Sequence, residues 1–147
     1  MKLSAKTQYG TLALIYVAAH TRDNTPVSVK EIASKADIPV AFLEQLLKSL
    51  ISSGIIYSVR GRNGGINLKK PASGINLKDI VEVLEGPIFP ASCTSVPGSC
   101  TRASSCAAQD AWNRLKTAID DVLSSTTLQD LQEKQKSIDN TRSMYYI

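Results

Sequence analysis

Between Ser28 and Lys70 the chain reads "SVKEIASKADIPVAFLEQLLKSLISSGIIYSVRGRNGGINLKK", and along this stretch the hydrophobic period changes once, from helical to alternating. Ser28 followed by Glu31 has the pattern of a capping box, in which a serine oxygen and a glutamate carboxylate satisfy orphan amides at a helix start. A short helix over Val29–Lys35 follows. The turn "ADI" leads to Pro39, whose fixed φ suits a first helical position, and "PVAFLEQLLKSLISSG" continues as a second helix closed by Gly54. In it Val40, Leu43, Leu46, Leu47, Leu50 and Ile51 keep the spacing of a single face. Beyond Gly54, "IIYSV" and "INLKK" favour strands, and "RGRNGG" between them supplies a glycine-rich turn. Two helices joined by a short turn and followed by a hairpin predict a winged helix-turn-helix: a mainly α fold with a small β-hairpin wing.

The flanking segments extend this unit. "SAKTQYGTLALIYVAAH", Ser4–His20, reads as a helix whose second half is apolar nearly all round, which calls for a partner helix in addition to the chain's own core. A further helix over Leu77–Glu85 carries Ile80, Val81 and Leu84 on one face and ends at Gly86-Pro87. Residues 1–86 therefore make the winged helix-turn-helix domain, and the Pro-, Gly- and Ser-rich residues 87–106 a loop. In "CAAQDAWNRLKTAIDDVLS", Ala108, Ala111, Trp112, Leu115, Ala118, Ile119, Val122 and Leu123 step by three and four. A second copy of the same helix, residues 107–125, is the simplest cover for that stripe and predicts a homodimer through it and the first helix. Residues 126–147 open with a short helical pattern and turn polar, a partly flexible extension.

Charge divides the chain of 147 residues unevenly: residues 1–80 hold eleven Lys and Arg against five Asp and Glu, a balance of +6, and the remainder −2. This asymmetry favours a polyanion for the front half. A recognition helix fits the major groove and a basic hairpin tip the adjacent minor groove or phosphates. On that reading Ala41, Glu44, Gln45 and Lys48 face base edges or backbone. Arg60, Gly61, Arg62 and Asn63 form the wing tip, Gly64 and Gly65 give close backbone approach, and Lys69 and Lys70 touch phosphates. The expected partner is double-stranded promoter DNA. A helix-turn-helix serving protein packing alone is the other reading, and the placement of the arginines at the most projecting point speaks against it.

All three cysteines, Cys93, Cys100 and Cys106, fall within fourteen residues. The longest apolar run, Leu12–Ala19, is too short for a bilayer, and no cleavable leader pattern precedes it, so a reducing cytoplasm without membrane contact is expected. Soft thiolates select iron-sulfur, zinc or copper(I), and a flexible loop with these intervals can wrap a cluster; the spacing is not the tight pairing of a zinc finger. A cluster-free redox switch with one disulfide and one spare thiol remains open. An enzyme is not expected: there is no C-x-x-C, no histidine beside a cysteine, no Ser-His-Asp set and no phosphate-cradling loop before a helix.

"LSAKTQYG", "FLEQLLKSLISSGIIYSVRGRNGG" and the cysteine cluster followed by a tryptophan-bearing helix together resemble the Rrf2 family of bacterial transcription regulators, from Lys2 to about Gln135. The resemblance implies homodimeric winged-helix proteins, and its three-cysteine type, which includes IscR and NsrR with RirA nearby, implies that Cys93, Cys100 and Cys106 ligate a [2Fe-2S] or [4Fe-4S] cluster. It further implies sensing of iron-sulfur status, nitric oxide or redox stress. The chain departs from it at the fourth ligand. Gln109 stands where some relatives have histidine, and Gln8 stands where others have an acidic residue near the start of the partner's first helix. Asp110 is one residue out of place, Glu44 is remote, and His20, the only histidine, reads as a helix-end residue. The cluster loop joins the winged domain to the dimer helix, so ordering it is expected to reset the spacing of the two recognition helices.

Overall fold

The computed structural model describes residues 2–146. In chain order it contains α1 (Ala5–His20), α2 (Val29–Ala36), α3 (Val40–Ser52), β1 (Ile56–Val59), β2 (Gly65–Leu68), α4 (Leu77–Leu84), α5 (Gln109–Ser125) and α6 (Leu128–Met144), with short 3-10 turns between them. Ser28 caps α2 by accepting from the Glu31 amide at 3.2 Å. The capping box is only half made, because the Glu31 carboxylate accepts the Tyr16 hydroxyl at 2.8 Å instead. Burial, and then that hydrogen bond and charge, push the Tyr16 hydroxyl up to about 12. Asp37 ends α2 in the left-handed region, φ 52°, a conformation that a short polar side chain tolerates. Pro39 is the N-cap of α3 rather than its first helical residue.

The wing is an antiparallel pair in the register Ile56↔Leu68 to Val59↔Gly65. A third backbone segment anchors it: Val27 and Ile66 exchange amide-to-carbonyl bonds of 2.9 and 2.8 Å. Gly65 is required there, since a Cβ would collide with the Val27 carbonyl. Asn67, nearly buried, donates from Nδ2 to the Asn24 carbonyl at 3.0 Å and so ties the turn after α1 to the hairpin.

Leu14, Val17, Ile32, Leu43, Leu47, Leu50, Ile56, Ile66, Ile75, Ile80 and Leu128 form one core. Two of the face residues of α3 are not buried: Val40 and Ile51, expected on the buried face, are exposed at the two ends of the helix. The tail also differs from expectation. Residues after Thr126 continue as a helix to Met144, started by a capping box between Thr127 and Asp130. Leu128 is fully buried, and its amide donates to the Ile75 carbonyl at 2.8 Å while the Leu77 amide donates to Thr126. α6 packs along α1 and so supplies, from the same chain, part of the cover that the apolar first helix requires.

Candidate nucleic-acid interface and cysteine loop

The buried face of α3, Leu43, Leu46, Leu47 and Leu50, fixes what the opposite side presents. Ala41, Glu44, Gln45 and Lys48 are all exposed on that side, spaced i, i+3, i+4 and i+7, so they share one face. The hairpin carries Arg60, Gly61, Arg62 and Asn63 exposed at its tip. Gly61 has φ +116°, a conformation closed to L side chains, and sets the reversal of the tip. Gly64 and Gly65 are needed inside the chain, against the Val59 and Val27 carbonyls, rather than for approach to an outside backbone. Lys69 and Lys70 are exposed beyond β2. Among the described residues none of Lys48, Arg60, Arg62, Lys69 and Lys70 is in an ion pair, which leaves their charge available to an external anion.

Behind this face the Tyr9 ring stands edge-on to Phe42 of α3, with centroids 6.0 Å apart. Gly10 lies against Leu84, so α1 and α4 approach closely. A single carboxylate oxygen, Glu85 Oε2, accepts from the Ser4 amide at 3.0 Å, the Ser4 hydroxyl at 2.6 Å and the Thr7 hydroxyl at 2.7 Å. The hydroxyl bonds from Ser4 and Thr7, then the Ser4 amide, hold the Glu85 carboxyl below its ordinary value. Sequence reading missed Glu85 because its partners lie about eighty residues away; an acidic residue at the end of a helix, where the dipole disfavours it, was the available signal.

The cysteine segment follows directly. Its described backbone hydrogen bonds within 91–106 are local, each closing a single turn, such as Thr94 to Ala91 at 2.9 Å and Ala103 to Cys100 at 3.2 Å. Lys116 of α5 sits 5.7 Å from the Phe89 ring. Cys93 and Cys100 line one shallow depression of about 380 Å3 together with Ser92, Ser95, Ser99, Thr101 and Arg102. Cys106 is exposed outside it, just ahead of α5, which begins at Gln109 rather than at Cys106. All three thiols are free. Among the described residues no three His, Cys, Asp or Glu side chains converge as a metal site, so the thiols are brought together two and one. The donor chemistry nonetheless suits a soft metal centre, since residues 87–106 contain no carboxylate or imidazole to compete with the thiolates.

The oxygen-donor candidates lie in different places. Gln109 and Asp110 are in the first turn of α5, where Asp110 faces Arg114 at 3.9 Å with both side chains largely exposed. Gln8 is exposed on α1 and donates to the Leu3 carbonyl at 2.9 Å. Glu44 belongs to the exposed face of α3. His20 Nδ1 donates to the Tyr16 carbonyl at 2.8 Å and its ring stacks on the Tyr16 ring, as a helix-end residue does. Along α5, Trp112, Leu115 and Val122 stay exposed, while Lys78 of α4 reaches Asp120 at 3.4 Å on the other side.

Residues 3–134 match the family model described as Rrf2, iron-dependent transcriptional regulator. The chain belongs to the Rrf2 family. It is 35% identical over 131 residues to protein rrf2 of Nitratidesulfovibrio vulgaris, covering 89% of this chain and 87% of that one. It is 36% identical over 131 residues to the HTH-type transcriptional regulator CymR of Bacillus subtilis, covering 89% of each. The solved structure of B. subtilis CymR, described as the global cysteine regulator, superposes with a TM-score of 0.77 over 91% of this chain and 98% of that chain, at 35% identity. The structure of T. potens IscR gives 0.70 over 92% and 88%, at 33% identity. The winged-helix fold and the DNA-binding transcriptional regulator class follow from this membership. No helix among the described residues is long and apolar enough to cross a membrane.

Proposed function

We propose that the chain is a homodimeric promoter-binding regulator whose DNA affinity is set by an iron-sulfur cluster, [2Fe-2S] or [4Fe-4S], held by Cys93, Cys100 and Cys106. The observation that carries this reading is the position of all three free thiols: they occupy the one segment that links the DNA-facing body to the exposed stripe of α5. Its backbone hydrogen bonds among the described residues close local turns, so reshaping it breaks no sheet or long helix. The exposed faces of α3 and the hairpin tip contact the duplex. The stripe of Trp112, Leu115 and Val122 is covered by the same helix of a second copy, with α1 at its side.

When bound, the cluster supplies electron transfer and an iron atom open to ligand exchange, because three thiolates leave one ligand position to a weaker donor. Gln109, Asp110, or Gln8 from a second copy, supplies that donor. The chain's own part is mechanical. Gathering Cys106 with Cys93 and Cys100 requires the 100–106 turn to move relative to α5, and in a two-fold dimer that shift changes the spacing of the paired α3 helices. A differential affinity of about 1–3 kcal/mol between the two arrangements corresponds to roughly 5- to 150-fold in DNA binding.

A second reading, a cluster-free thiol switch, is favoured by the shared depression of Cys93 and Cys100 and by the likeness to a global cysteine regulator. Protein purified without oxygen distinguishes the two. Iron and acid-labile sulfide in equal amounts, with visible absorption lost in Cys100→Ala, support the cluster. Colourless protein that gains one disulfide per chain on mild oxidation supports the switch.

A further inference from the structure

Glu85 is badly placed for its own helix. It is the C-cap of α4, where the last-turn carbonyls carry partial negative charge, and no basic residue in that turn offsets it. Its carboxylate is directed instead at the start of α1, whose orphan amides present partial positive charge. There Ser4 is the N-cap yet makes no side-chain cap bond to its own helix; its hydroxyl is donated to Glu85 Oε2, together with its amide and the hydroxyl of the buried Thr7. The next residue, Gly86, has φ +87° and turns the chain outward into the cysteine segment. The point at which that segment leaves the DNA-binding body is thus bolted to the first turn of α1. Five residues after Ser4, Tyr9 contacts Phe42 on the helix that carries Ala41, Glu44, Gln45 and Lys48.

We propose that Glu85 is the positioning residue that couples the cysteine segment to the recognition helix. With the three hydrogen bonds made, a displacement of the segment is passed through the first turn of α1 to α3. Without them it is absorbed by rotation at Gly86. The proposal rests on the reading that the state of the cysteine segment governs DNA affinity, and the test separates the two.

DNA affinity is measured by fluorescence anisotropy on a labelled duplex that the wild-type protein selects from genomic fragments, using cluster-loaded and anaerobically metal-stripped protein. The quantity read is the ratio of the two affinities, alongside iron and sulfide per chain. Wild type is expected to show a ratio of about fivefold or more. In Glu85→Ala the ratio falls to within about twofold of unity while iron and sulfide content stay at the wild-type level. Glu85→Gln keeps an acceptor oxygen and restores a ratio above that of Glu85→Ala, which a merely structural role would not produce. An unchanged ratio in Glu85→Ala overturns the proposal, even if both affinities drop together. Should Glu85→Ala not fold, Thr7→Val, which removes one donor at constant volume, decides in its place: a wild-type ratio there overturns the proposal. A wild-type ratio of unity overturns the function reading itself and this inference with it.

Discussion

Replacing both wing arginines, Arg60→Ala with Arg62→Ala, tests where the hairpin tip goes. Both side chains are exposed at the tip and, among the described residues, in no ion pair, so removing them leaves the chain's own interactions intact. If Lys48, Arg60, Arg62 and Lys69 each neutralise one phosphate, a two-fold dimer makes about eight such contacts, and log K falls against log salt with a slope of about −7. The double variant removes about four of them and brings the slope to about −3.6. Between 0.05 and 0.2 M salt the wild type then loses about 20,000-fold in affinity and the variant only about 150-fold. Anisotropy titrations on a mixed-sequence duplex across that salt range suffice, because the electrostatic contribution does not depend on the operator. A slope unchanged by the substitutions refutes the placement of the wing against phosphates, whatever happens to the affinity at a single salt concentration.

Leu128→Ala tests whether α6 belongs to the DNA-binding body. Leu128 is fully buried, and removing its three outer carbons costs about 2.4 kcal/mol in transfer alone, or about 3–4 kcal/mol with the cavity left behind. Urea unfolding at fixed protein concentration measures it, and a loss below about 1 kcal/mol would mean that the helix is detachable. Leu115→Asp places a charge on the exposed α5 stripe twice in a symmetric dimer; sedimentation is expected to show dimer affinity weakened by more than about 100-fold, about 3 kcal/mol, with the helical circular dichroism of the monomer unchanged. The Glu85 carboxyl is lowered from 4.5 by its bonds to Ser4 and Thr7, so its contribution to stability is present above that value and is lost as pH falls through the lowered one. The melting-temperature difference between wild type and Glu85→Gln is therefore expected to be full at pH 6 and to shrink steadily toward pH 3; a pH-independent difference would contradict the clamp.

The helix-turn-helix and wing were legible because their signals are local: Ser28 and Gly54 mark helix ends, and the change of period after Gly54 marks β1. Elements that depend on distant partners were not. Val27 joins the wing as one residue between Pro26 and Ser28, too short for any alternation to appear. α6 reads as polar because its attachment to the body rests on few residues, Leu128 above all, and on the Thr127–Asp130 cap. The exposed face of α3 could be deduced residue by residue from its buried leucines, whereas Val40 and Ile51 continue the apolar pattern past the ends of the core. For the cysteines, residue type gives the chemistry, but a loop held by single turns has no periodicity from which to deduce which thiols meet, and here Cys93 and Cys100 share a depression that excludes Cys106.

The most direct test of the central claim compares the DNA affinity of one anaerobic preparation before and after its iron and sulfide are removed by chelation. A change of at least about fivefold that disappears in Cys100→Ala is the predicted result. Equal affinities before and after removal, from protein that did carry the cluster, would contradict it.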